Sequence, residues 1–198
     1  MFSFHPVKTI TSGEGGCVTT NNKFLAKKII LLRSHGIERN NKCSWEYNIE
    51  HPGFNYRLSD INCALGLSQL SKVKKFISYR KNISSYYKKK LSNFVQFFNY
   101  NKNNNPSYHL FLISINSKKK NLTKNKLMLY LKKHKINCQY HYIPIYKFKF
   151  FKDKKYNKKK YFRNSEYYYK NTISLPIYYN LFLKDQKKVV NLIKNFLK

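Results

Sequence analysis

The sequence predicts a mixed α/β chain in two parts. A Gly-rich turn, Ser12-Gly-Glu-Gly-Gly16, leads into a short strand and a helix. A long apolar periodicity of helical spacing starts at a good N-cap, Ser59. From Tyr108 onwards strand-like and helix-like segments alternate to the C-terminus, the pattern of a compact α+β unit of roughly 90–100 residues.

Taken in order, Cys17–Thr20 reads as the strand leaving the turn. Asn21 or Asn22 can cap a helix to about Ser34, with Leu25, Ile29 and Leu32 on one face, and Gly36 suits its C′ position. A polar loop runs from there to Pro52-Gly53, equally readable as a site cover, a subunit contact or plain surface. Asp60 suits the positive end of the next helix. Ile61, Ala64, Leu65, Leu70, Val73 and Ile77 extend it at three- and four-residue spacing, predicting one helix to about Lys90 that links two domains, 1–95 and 96–198. Asn99–Asn105 is a low-complexity linker or loop. Beyond it the expected order is strand 108–115, helix 122–134, strand 136–142, helix 165–171, strand 173–175 and an amphipathic helix 185–197. The last carries Val189, Ile193, Phe196 and Leu197 inward, and residues 146–164 have no clean period.

The formal net charge of +32 would ordinarily point to nucleic acid or an anionic surface. Lys is scattered among Asn, Tyr, Ile and Phe, however, which share A/T-rich codons, and no nucleic-acid motif is present. Compositional drift is the simpler account, and the runs Lys118–Lys120 and Lys158–Lys160 read as solvated loop charge. The Tyr and Phe of 140–169 read as core and loop residues rather than base-stacking groups. The four Cys form no C-x-x-C pair and the six His make no zinc-type pair with them, so buried free thiols in a reducing compartment are expected. The apolar runs are far short of a membrane span and no signal peptide is visible, which predicts a cytoplasmic protein without metal or membrane partner.

Two windows escape the Lys excess. Cys43–Ser71 has none, and residues 1–22 have only Lys8, set among Phe2, Phe4, Pro6 and Val7. Apolar surroundings disfavour the charged form of a Lys and make it an amine nucleophile that forms Schiff bases with carbonyl groups. On local sequence alone, an ordinary Lys near a terminus carries more weight.

The longer string FSFHPVKTITSGEGG resembles the active-site lysine segment of the DegT/StrS-type sugar aminotransferases, which use pyridoxal phosphate (PLP). The segment Asn55-Tyr-Arg57 resembles their N-Y-R segment, and HYIP (141–144) and ISLPIY (173–178) resemble parts of their C-terminal domain. The resemblance covers the whole chain. It implies an α/β fold of PLP fold type I, aspartate aminotransferase-like, here truncated to the tail of the large PLP domain plus a small α+β C-terminal domain. It further implies that Lys8 holds PLP covalently and that Ser3 binds the cofactor phosphate. Asn55 would reach the phosphate in a neighbouring subunit of a homodimer, and Arg57 would grip the carboxylate of the amino donor. His5 and His35 are candidates to contact cofactor or sugar, a structural role being equally open for each.

Within the family the likeness is to the branch that makes UDP-4-amino-4,6-dideoxy-N-acetyl-β-L-altrosamine on the way to pseudaminic acid. That implies glutamate as donor and a UDP-4-keto-6-deoxy-sugar as acceptor. Family members are about twice as long. Most of the large domain is therefore expected to be absent, including the Asp that holds the pyridinium nitrogen, and the isolated chain is expected to bind PLP poorly and to be inactive without that N-terminal half. Two other readings stand beside this one: an inactive remnant or binding module from a broken gene, and a basic nucleic-acid-binding protein.

Overall fold

The computed structural model describes residues 1–39, 43, 45–98, 101, 103–115, 122–151 and 159–198, with the side chains of 159 and 160 excepted. The Lys118–Lys120 run and part of the 99–105 linker lie outside the described residues. By packing, the chain divides into two compact units, Met1–Val73 and Lys74–Lys198.

In the first unit, β1 (Phe2–Ser3) pairs antiparallel with β2 (Gly16–Cys17) and closes the Gly-rich loop. The expected strand 17–20 is thus shorter and returns against the start of the chain. Helix α1 (Lys23–Arg33) begins where Asn22 accepts a hydrogen bond from the Leu25 amide. Its end differs from expectation: Ser34 is the C-cap, His35 takes the left-handed C′ position at φ 64°, and Gly36 follows at φ 70°. The Gly36 amide donates to Leu31 O at 2.9 Å, the long bond of a Schellman motif. The polar loop contains a hairpin, β3 (Ile37–Arg39) against β4 (Tyr47–Ile49). Helix α2 (Asp60–Leu70) starts at Ser59, whose hydroxyl accepts from the Asn62 amide.

The single helix expected over 60–90 is two. Helix α2 stops at Leu70, and α3 (Val73–Leu91) begins after Ser71 and Lys72. The Ser71 hydroxyl bonds back to Ser68 O at 2.8 Å, the local competition by which Ser interrupts a helix ladder.

The second unit has the core. Strands β5 (Gln96–Phe97), β6 (Phe111–Ser114) and β7 (Thr172–Leu175) form an antiparallel sheet in the order β5-β6-β7, with Phe111 opposite Leu175 and Ile113 opposite Ile173. Helices α4 (Lys124–Lys133) and α6 (Leu183–Leu197) pack on one another, and α5 (Arg163–Asn171) leads directly into β7. Ile83, Tyr87 and Leu91 of α3, Leu127 and Leu131 of α4, and Val189 and Ile193 of α6 are buried with the sheet. The expected strand 136–142 is reduced to one bridge, Gln139 with Ser174, and Tyr142 at its end is exposed. Burial pushes the Cys138 thiol in this segment up to about 12.

Candidate functional site

The Gly-rich loop is closed by its backbone. The Phe4 amide donates to Gly15 O at 2.8 Å, and Phe4 O accepts from the Ser12 amide at 3.1 Å and the Thr11 hydroxyl at 2.9 Å. Inside this closure the Lys8 amide donates to His5 O at 2.9 Å, a tight turn that presents Lys8. The Lys8 residue is half-buried, while Phe2 and Val7 beside it are 56% and 63% exposed. Phe2 and Val7 therefore point outward, and of Phe2, Phe4, Pro6 and Val7 only Phe4 is partly buried.

Ser3 and His5 belong to the same loop. The Ser3 hydroxyl accepts from the His5 amide at 3.4 Å, which leaves its own hydrogen free for an acceptor. His5 Nδ1 accepts from the Val7 amide at 3.5 Å, so the ring hydrogen lies on Nε2, 3.7 Å from Glu14 Oε1.

The loop is tied to α2 at residues that the sequence reading did not single out. Asn62 Nδ2 donates to Glu14 O at 3.3 Å, and the Ser12 hydroxyl donates to the same carbonyl at 2.8 Å. Ser12 is 1% exposed, and its Cβ lies 3.5 Å from where a Cβ on Gly66 would stand. Gly15, at φ 140°, passes so close to Leu58 that a Cβ there would lie 2.8 Å from Cδ1. The signal for Asn62 and Gly66 was available only as their position one turn apart on the face of a Lys-free helix.

His35, Asn55 and Arg57 gather at the end of α1. The His35 amide donates to Phe54 O at 3.0 Å, Asn55 bridges Ser34, and the Tyr56 amide donates to Arg33 O at 2.9 Å. The side of Gly36 without a Cβ faces His51 O, which such a Cβ would approach to 1.8 Å. Asn55 and Arg57 are exposed, with their side chains open to a ligand. The loop group and this group share no hydrogen bond among the described residues; Leu58, one residue past Arg57, lies against Gly15.

As a donor set, Lys8, Ser3, Asn55 and Arg57 offer an amine, a hydroxyl, a carboxamide and a guanidinium, with no carboxylate among them. Such a set fits a molecule with a carbonyl and a phosphate or carboxylate. Among the described residues no group of His, Cys, Asp and Glu could hold a metal ion, and no helix is long and apolar enough to cross a membrane.

The second unit holds a cavity of about 790 Å³, walled by His141, Pro144, Tyr146, Phe162 and Tyr168 among others, with the Tyr146 and Phe162 rings stacked at 4.4 Å. Behind Tyr146, Lys147 pairs with Glu166 at 2.7 Å and holds that carboxyl below its usual range. The Lys124 ammonium sits 4.3 and 4.1 Å from the Tyr140 and Tyr169 ring centres and donates to Tyr169 O, and burial lowers its pKa. Sequence reasoning missed this centre because aromatic and basic residues recur there without a period.

A relative from Campylobacter jejuni, a UDP-4-amino-4,6-dideoxy-N-acetyl-beta-L-altrosamine transaminase, is 38% identical over 194 residues, 96% of this chain and 50% of its own length. The solved structure of Helicobacter pylori PseC, an aminotransferase involved in the biosynthesis of pseudoaminic acid, superposes with a TM-score of 0.84 at 29% identity, over 98% of this chain and 52% of that one. Spr1654 from Streptococcus pneumoniae, a putative sugar aminotransferase solved in its PMP- and PLP-forms, gives TM-scores of 0.87 and 0.84 at 22% identity, covering 98–99% of this chain and 51–52% of that one, which bears on the fold alone. The fold is the expected α/β one, and the chain spans about half the length of the curated relatives it matches. The DegT/DnrJ/EryC1/StrS aminotransferase family model matches residues 1–194, nearly the whole length, and the chain therefore belongs to that family.

Proposed function

We propose that this chain is the lysine-bearing half of a PLP-dependent sugar aminotransferase that moves an amino group from glutamate to the C4 ketone of a UDP-4-keto-6-deoxy-sugar. The observation that carries this reading is the closed loop presenting Lys8 in a chain matched almost end to end by the family. The likeness to transaminases of altrosamine and pseudoaminic acid chemistry supports the choice of sugar. In this reading residues 1–95 are the tail of the large PLP domain and 96–198 the small domain, in a cytoplasmic homodimer.

The donor set fits two ends of PLP, its aldehyde and its phosphate. When bound, PLP supplies an electron sink that acidifies the hydrogen on the carbon bearing the amino group. Lys8 would hold the cofactor through its amine, and the same amine would take a proton from the donor's α-carbon and give one to the sugar C4. Ser3 would bind the phosphate, as would Asn55 toward the neighbouring subunit, so that the cofactor is held at its phosphate as well as at Lys8. Arg57 binds the donor carboxylate as a fork. His35 would contact the sugar, and His5, whose carbonyl accepts from the Lys8 amide, would contact the cofactor beside that turn. None of Lys8, Ser3, Asn55 and Arg57 is a carboxylate that could hold the ring nitrogen, and the carboxylate of the loop, Glu14, lies beside His5 instead, which is why the chain alone is expected to bind PLP poorly and to be inactive.

The test is Lys8→Ala in the assembled enzyme, assayed with glutamate and a UDP-4-keto-sugar. Turnover is expected to fall by several orders of magnitude, and retained turnover would overturn the assignment. An inactive remnant is the second reading. It is favoured by one observation, the lack of any buried apolar side chain among the described residues of the first unit.

A further inference from the structure

The sheet of the second unit has one apolar and one polar face. Strand alternation puts Phe111 and Ile113 of β6, with Ile173 and Leu175 of β7, on the face buried in the core. The opposite face carries Ser114, and directly across from it in register stand Gln96 of β5 and Thr172 of β7. Ser174 lies two residues further along β7 on the same face. This polar face is closed to solvent: Ser114, Thr172 and Ser174 are 5%, 2% and 5% exposed.

Ser174 is satisfied there, its hydroxyl bonded to Gln139 O at 3.1 Å and His141 Nδ1 at 2.8 Å. The hydroxyls of Ser114 and Thr172 are not, and both are buried without a hydrogen-bond partner. A hydroxyl taken out of water without a partner is destabilising, and two of them on adjacent strands mark a place where a polar partner belongs.

Ser114 opens into a cavity of about 270 Å³ walled by β5, β6 and α5. The walls are aromatic. Phe97 and Phe98 come from the end of β5, Tyr167 and Tyr168 come from α5, and the Phe98 and Tyr168 ring centres lie 5.6 Å apart. The exposed residues Gln96 and Asn164 complete the lining. Among the described residues no charged side chain lines this cavity, in a chain with 40 basic residues.

These features select an occupant. A water takes about 30 Å³ and needs two to four polar partners, so it would meet the hydroxyl and leave a larger, aromatic space unfilled. A flat ring suits the aromatic walls. A carbonyl oxygen has two lone pairs, so it can accept from Ser114 and from Thr172, whose Cβ stands about 4.5–5.5 Å away across the strand pair. The uncharged lining disfavours an ion. The volume is at the lower end of small-molecule sites, with room for one ring.

We propose that this cavity is a binding site for a neutral, flat, single-ring molecule bearing a carbonyl oxygen, of the aromatic carboxamide or ketone class. Its carbonyl caps the Ser114 and Thr172 hydroxyls, and its ring lies against Phe98 and Tyr168. The site goes beyond the proposed aminotransferase activity, since it lies within the second unit and uses none of Lys8, Ser3, Asn55, Arg57 or His35.

The experiment adds benzamide to the isotope-labelled full chain and follows its NMR spectrum. Saturable shifts are expected at Phe98, Ser114 and Tyr168, with a Kd on the order of 1 mM for so small a molecule, and NOEs from the probe's ring to the Phe98 and Tyr168 rings. Benzoate, which adds a charge, and cyclohexanecarboxamide, which loses the flat ring, should each bind about tenfold more weakly or less. Ser114→Ala and Thr172→Val should each weaken benzamide binding about five- to tenfold. Neither should lower the urea midpoint of the free chain, because each removes a hydroxyl that has no bond to lose.

The proposal is overturned if no saturable shift occurs at these residues, with water alone in contact with Ser114. It is equally overturned if benzoate binds as well as benzamide, or if Ser114→Ala binds benzamide as the parent does. A lower urea midpoint in both variants would show that the two hydroxyls already have partners, and would remove its basis.

Discussion

Arg80 tests how the second unit is held together. Its guanidinium is 6% exposed and makes all three of its bonds through Nη1: to Ile177 O at 2.8 Å, Tyr108 O at 3.2 Å and His109 O at 3.3 Å. Nε is buried without a partner, and burial pushes the guanidinium below its ordinary pKa. Replacing Arg80 by Met keeps the apolar stem and returns the desolvation cost of the cation, but takes the donor from three carbonyls. The Ile177 carbonyl is in a buried environment and loses about 1–3 kcal/mol. The two others reach partly exposed surroundings and lose about 0.5–1 kcal/mol each. The bonds outweigh the returned desolvation, and the net expectation is a loss of about 2–3 kcal/mol, a fall in Tm on the order of 10 °C for a unit of this size. Arg80→Lys, which keeps a single-nitrogen donor, should recover part of it. Urea unfolding followed by tyrosine near-UV circular dichroism reads the second unit, because Trp45, the single Trp, lies in the first. An Arg80→Met chain as stable as the parent, or more so, would show that desolvation dominates and refute the reasoning.

Gly66→Ala should be tolerated or stabilising by up to about 1 kcal/mol, since its Cβ meets Ser12 at an ordinary 3.5 Å and Ala favours helix; Gly66→Leu should displace Ser12 and raise amide exchange at Phe4, Ser12 and Gly13 about tenfold. Gly36→Ala sets a Cβ 1.8 Å from His51 O at a positive φ and should cost about 2–4 kcal/mol of local stability, seen as faster exchange at His35, Phe54 and Tyr56. Cys138, raised to about 12 in the fold against 9.0 unfolded, keeps its proton in the folded state; its contribution is full below pH 9 and is lost as pH rises. Stability of the second unit should therefore fall by about 1 kcal/mol between pH 9 and 10 through this group, and Cys138→Ala should flatten that slope in urea titrations. At pH 8, alkylation of Cys138 should be on the order of 1,000-fold slower than that of an ordinary thiol.

What could be read from the sequence was what local chemistry decides. Ser59 and one of the two asparagines offered, Asn22, cap α2 and α1 through a side-chain oxygen, as their residue types suggest; Thr123 caps α4, although the expected helix began before it, at 122. Leu127, Leu131, Val189 and Ile193 lie at helical spacing and are buried. Contacts distant in sequence were out of reach. The Asn62 bond to Glu14 spans 48 residues, and nothing in either segment announces it. The segment 136–142 alternates like a strand, yet it pairs with β7 at one bridge. The Ser71 back-bond ends a periodicity that continues unbroken in the apolar pattern. Lys8 shows the limit most clearly: Phe2 and Val7 are its neighbours in sequence but face outward, because apolar residues next to a Lys along the chain need not surround it in space.

The central claim is that Lys8 is the cofactor lysine, and reductive trapping tests it most directly. The chain, alone and in complex with the unmatched half of its Campylobacter jejuni relative, is incubated with PLP, reduced with borohydride and mapped by peptide mass. The account predicts one pyridoxyl group per chain on Lys8 in the complex, in preference to the 34 other lysines, and little on Lys8 in the chain alone. Label spread over surface lysines in a sound complex, with Lys8 modified no more than the rest, would contradict it.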